Sequence, residues 1–188
     1  MYRNQGGERS WIGKAVVYPV SSALAGLTAG TLLGAAGNLL PLNLRLAAGS
    51  VLAVAAVAAG AFELFGRRIR PPQLDCETPQ RWMHNGPLWW AIQNGVALGL
   101  GATSRIGFLL WYVVPIGALL SGSPALGAAI YGTYGLVRGA AAPVILLGTW
   151  RLKADVSDWL VMHREAAQNS AAVVMVLTGV AVAIVVGF

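Results

Sequence analysis

An all-α integral membrane protein is the fold class this sequence predicts, and three observations predict it. Only 11% of the 188 residues are charged, against about 25% in a soluble domain. Five stretches carry no charge at all: Ala15–Leu44, Leu46–Phe62, Gly86–Ser104, Ile106–Val137 and Ala166–Phe188. Each is of the order of the ~20 apolar residues that cross a hydrocarbon core. The basic residues, which give a net charge of +6, gather between these stretches, where they set topology and meet anionic headgroups. In lipid every backbone polar group must be satisfied within the segment, so the spans are expected to be helices. The lipid bilayer is therefore the expected partner, and nucleic acid is not. The first apolar run begins at Ala15 and exceeds the length of a leader's hydrophobic region, so no cleavable signal is expected.

Residues 1–14 read as a cytoplasmic tail, and 15–188 as a polytopic transmembrane domain. The first span is placed at 15–37. Its Gly26, Gly30 and Gly34 share one helical face, and small residues let helix backbones approach closely in a membrane. A short link with Pro41 leads to a second span over 46–65. Residues 66–85 hold Arg67, Arg68, Arg70, Arg81 and three prolines, which marks a loop outside the hydrocarbon.

As one straight helix, residues 86–120 would run to roughly 52 Å at ~1.5 Å per residue. The middle, Gly99–Gly107, is the most polar and least helix-favouring part. It is either a turn between two crossings or a break within one. Charge favours the break. With five spans, the tail, the 66–85 loop and the 150–169 loop share one face. That face then carries Arg3, Arg9 and Lys14, the four loop arginines, and Arg151, Lys153 and Arg164. The other face keeps only Arg45 and the uncharged turn Ser121–Pro124. Short positive loops stay cytoplasmic, so the N-terminus is expected inside and the C-terminus outside. A further span is placed at 125–149 and the last at 170–188. Between them, 150–169 partly fits an amphipathic surface helix.

Two arginines are the sharpest candidates for a working site. An ionisable residue within a span costs at least ~2.5–3.5 kcal/mol on insertion scales and usually faces a cavity or a partner. Arg138 stands well inside its span, and Arg105 sits at the break beside Thr103 and Ser104. Trp111 and Tyr112 follow the break and precede Pro115. These six residues form the expected binding site, on the precedent that broken helices coordinate ligands near the midplane. The competing reading is structural: Arg138 pairs internally, for example with Glu63. Trp82, Trp89 and Trp90 fit an interfacial aromatic belt.

Cys76 is the single cysteine, and the two histidines, His84 and His163, lie in different loops. One thiol cannot close an internal disulfide. No metal, no cofactor and no catalytic residue is expected, because no nucleophile–base arrangement, phosphate loop or dinucleotide fingerprint occurs.

The stretch Gly95–Gly139, GVALGLGATSRIGFLLWYVVPIGALLSGSPALGAAIYGTYGLVRG, resembles the second half of the CcdA/DsbD transmembrane family, including its methylamine-utilisation relatives. There a Gly-rich span reaches a polar break followed by a Pro-containing half-helix. Leu44–Gly66 is similar to the closing span of that family's first half. The resemblance implies a bacterial plasma-membrane protein. Its electron-carrying members use two intramembrane cysteines, and here Ser104 and Arg105 occupy the break instead. The opening span of the first half is also lacking.

The function expected is a transporter or membrane accessory protein with a central polar site on this scaffold. A non-catalytic structural subunit or assembly factor is the first alternative, with another membrane subunit or a further copy of the chain as partner. A thiol-redox protein related to cytochrome biogenesis is the second, and it would need a cysteine from another chain.

Overall fold

The computed structural model describes residues 8–66, 86–101, 110–152, 158 and 161–186. They form six α-helices: α1 Glu8–Asn38, α2 Leu42–Leu64, α3 Pro87–Leu100, α4 Leu110–Leu120, α5 Pro124–Leu152 and α6 Arg164–Val186. Among the described residues there is no strand. The chain is an all-α membrane protein. Four helices are long and apolar enough to span a bilayer, over Ile12–Asn38, Leu42–Leu64, Pro124–Gly148 and Arg164–Ile184.

The helix ends lie further out than the charge pattern alone suggests. α1 begins at Glu8 and takes in Lys14, which is buried. α5 continues to Leu152, and α6 starts at Arg164. Once a turn is nucleated each further residue adds a hydrogen bond, so helices continue past the apolar core into polar sequence.

α1 is the central helix, and glycine makes its contacts. A methyl group built on Gly26 would stand 2.5 Å from the Tyr131 carbonyl oxygen. On Gly30 it would strike the Gly127 carbonyl, and on Gly34 that of Ser123. α5 answers in kind: methyl groups on Gly127 and Gly135 would strike the Gly30 and Ser22 carbonyls. As the α1 numbers rise the α5 numbers fall, so the two helices are antiparallel. The glycine face expected of the first span is this seam. Ser22 lies fully buried in it and donates from Oγ to Gly135 O at 2.7 Å.

The same reading of contacts resolves residues 86–120. Gly95 abuts Tyr18 and Ser21, Gly99 abuts Ser22 and Ala25, and Leu119 abuts Gly37. α3 and then α4 therefore climb α1 in one direction. The described residues on either side of the break make one crossing, in the five-span sense. α3 ends on Gly101, whose φ of 70° is the left-handed cap a glycine accepts without strain.

α2 and α6 form a second antiparallel pair through Gly60 and Gly179. α4 joins this pair to the rest. It packs on α1, α5, α2 and α6, and its Val113 forms a buried cluster with Ala56 of α2 and Met175 of α6, against which Leu52 and Ala59 of α2 pack. At the α4–α5 turn, Arg45 of α2 lies over Gly122 and its NH1 donates to Ser121 O at 3.3 Å.

Candidate polar site within the membrane

Arg138 stands midway along α5. It is half-buried, and its NH1 donates to Tyr134 Oη at 2.8 Å. The guanidinium carbon also lies 5.7 Å from the Tyr134 ring centroid. The two residues are four apart, so they share a helix face and the contact forms within α5 itself. A hydrogen bond to a charged group contributes about 1.5–3 kcal/mol. That offsets much of the insertion cost of the arginine.

Tyr131 and Tyr18 extend the cluster. The rings of Tyr131 and Tyr134 meet edge to face at 5.9 Å. Tyr131 is 3% exposed, and its hydroxyl donates to Leu100 O, the last residue of α3, at 3.3 Å. From α1, Tyr18 stacks on Trp90 of α3 at 6.4 Å.

The chain of contacts continues to the break. Leu100 precedes Gly101, and the Trp111 indole of α4 covers Gly101, with Nε1 2.8 Å from where its Cβ would stand. Trp111 Nε1 is buried without a hydrogen-bond partner among the described residues. The Trp111 ring meets Tyr112 edge-on at 5.0 Å. Arg138 and Trp111 are thus linked through Tyr134, Tyr131 and the end of α3. Thr103, Ser104 and Arg105 lie outside the described residues. Glu63 sits at the end of α2, which packs on α6 and α4, whereas Arg138 stands on α5. Among the described residues no group of three or more His, Cys, Asp or Glu could hold a metal ion, and Cys76 lies outside them.

Sequence reading picked out Arg138 but missed Tyr131, Tyr134, Tyr18 and Ser22. The spacing Tyr131, Tyr134, Arg138 was a usable signal, since residues three and four apart share a helix face. Tyr18 and Ser22 carried no such mark, because their partners lie on α3 and α5.

An all-α membrane protein with an arginine–tyrosine cluster among α1, α3 and α5 is the class that fold and site define. Comparison adds a relative. The chain is 29% identical over 176 residues to the methylamine utilization protein MauF of Paracoccus versutus, covering 92% of this chain and 64% of that protein. It therefore spans just under two thirds of the relative's length. No family model matches the chain, and no solved structure matches it. Of the family resemblance, comparison supports a likeness to this one methylamine utilization protein and does not show the CcdA/DsbD family.

Proposed function

We propose that this chain is a membrane accessory protein serving the utilisation of methylamine or a related amine, and that the Arg138–Tyr134–Tyr131 cluster is its working site. The observation that carries this reading is a charged side chain midway along a span, oriented by a phenol and connected through Tyr131 to the broken crossing. Intramembrane ionisable residues of this kind mark sites of function by default. The direction of function, amine utilisation, comes from the relative's name.

The cluster is donor-rich, with a guanidinium, three phenols and the Trp111 indole. Such a set suits an acceptor: a carboxylate, a carbonyl, or the backbone of another membrane segment. Thr103, Ser104 and Arg105 would complete it from the break. The cytoplasmic placement of the 66–85 and 150–169 loops is part of the same proposal, carried by the positive-inside bias.

Deletion of the gene in its own host tests this reading. Growth on methylamine should fail while growth on ammonium and a sugar continues, and the wild-type chain should restore it. Unimpaired growth on methylamine would remove the functional assignment and leave only the membrane fold.

A further inference from the structure

Two kinds of contact hold this fold together, and they divide it into two bodies. Within each antiparallel pair the backbones themselves approach closely, as small residues allow in a membrane. α1 meets α5 through Gly26, Gly30 and Gly34. α2 meets α6 through Gly60 and Gly179, where a methyl group would stand 2.8 Å from the Ala172 and Ala53 carbonyl oxygens. α3 joins the first pair through Gly95 and Gly99. α4 joins it as well, because a methyl group on Gly37 of α1 would strike the Leu119 carbonyl.

Toward α2 and α6, α4 offers side chains instead. Val113 lies in its cluster with Ala56 and Met175, and Arg45 of α2 reaches the α4–α5 turn. Among the described residues, α4 is the main neighbour through which α2 and α6 meet the other helices. The chain connects the two bodies unequally. α1 passes to α2 through residues 39–41 alone, whereas at the opposite membrane face the longer segments 65–86 and 153–163 make the connections. A short link at one end and long tethers at the other is the connectivity of a hinge.

Arg45 stands about one turn beyond that link. Its guanidinium lies where a side chain on Gly122 would be, at a residue whose φ of 57° is left-handed. NH1 donates to Ser121 O at 3.3 Å, a long hydrogen bond, and Nε is buried without a hydrogen-bond partner among the described residues. Docked on the turn, the guanidinium gains one weak bond and keeps a buried donor unspent. Released to the interface, Nε regains water, which offsets the bond that is lost.

We propose that the α2–α6 pair swings as one body about the 39–41 link, and that Arg45 on Gly122 is the brace that holds it against α4. With the brace released, the pair parts from α4 at Val113. That residue is two positions from Trp111, so the motion reaches the break side of the polar cluster.

Spin labels on the Cys76→Ser background, read by pulsed electron–electron resonance in lipid nanodiscs, test this. Val16 on α1 and Phe62 on α2, both exposed, stand near the face opposite the link and report the swing. Leu32 on α1 and Val144 on α5, also exposed, report the first body alone. The wild-type brace should give one dominant Val16–Phe62 distance. Arg45→Gln should raise the share of a longer distance several-fold and leave the Leu32–Val144 distance unmoved. Gly122→Ala keeps the arginine but puts a methyl group where its NH1 lies, and it should give the same longer distance. An unchanged Val16–Phe62 distance in both variants would overturn the proposal. So would an equal broadening of both pairs, which would mean a fold loosened throughout rather than a hinge released. The distances are read on purified protein, so they decide the hinge whether or not the chain serves amine utilisation.

Discussion

Arg138 was legible in the sequence because a charge inside an apolar run stands out whatever surrounds it. Its companions were not, because tyrosines in a span are unremarkable until their hydroxyls have partners. The hydrogen bond to Tyr134 makes a sharp prediction. Tyr134→Phe removes the acceptor at 2.8 Å and should destabilise the protein by about 1.5–3 kcal/mol, read as a lower Tm in detergent. In an Arg138→Leu background the same change should cost little, since the interaction is already gone. Equal losses in both backgrounds would show that the phenol acts through something other than Arg138. Glu63 is tested separately. If Glu63 is Arg138's structural partner, Glu63→Gln should lower Tm as Tyr134→Phe does. We predict a smaller change, because α2 packs on α6 and α4 rather than on α5 as a main neighbour.

At the scale of elements, close approach of backbones holds the helices together. Lipid chains are as apolar as leucine, so helices in a membrane gain from tight packing rather than from burial of oil. The Gly26, Gly30, Gly34 face could be read from its spacing because three small residues recur every fourth position. The α2–α6 seam could not, because Gly60 and Gly179 each stand as single glycines and acquire meaning only when paired. Gly30→Ala places a methyl group on the Gly127 carbonyl, a backbone atom that cannot turn aside. It should cost at least about 1–3 kcal/mol as overpacking. Gly117→Ala meets nothing within 4 Å and should be neutral or stabilising by up to about 1 kcal/mol, since alanine is the better helix former. Thermal unfolding of the two variants side by side checks the contrast. Equal stability would deny the seam.

For the whole molecule, four helices are long and apolar enough to span a bilayer, and the direction in which α3 and α4 climb α1 fits a fifth, divided crossing. Charge asymmetry pointed the same way before any contact was known, because a sixth crossing would have put Arg151, Lys153 and Arg164 opposite the other basic loops. The outward extension of α1 and α5 was not legible, since charge marks where the hydrocarbon ends and not where the helix does. The orientation is a proposal with a direct check. A membrane-impermeant maleimide should reach Cys76 only after cells are opened. A cysteine at Ser123, on the Cys76→Ser background, should react in intact cells. Labelling of Cys76 in intact cells would invert the orientation, and protection at position 123 would restore the sixth crossing.

The central claim is that Arg138 is there for function rather than to hold the fold. Arg138→Leu separates the two. The variant gives up a charge-assisted hydrogen bond of about 1.5–3 kcal/mol and is relieved of an insertion cost of at least ~2.5–3.5 kcal/mol, so the two effects nearly cancel. The measurement is paired: Tm of the purified variant in detergent, and rescue of methylamine-dependent growth in the deletion strain. The account predicts a Tm at or above that of the wild type together with loss of rescue. Full rescue, or a loss of rescue that tracks a collapse in Tm, would contradict it.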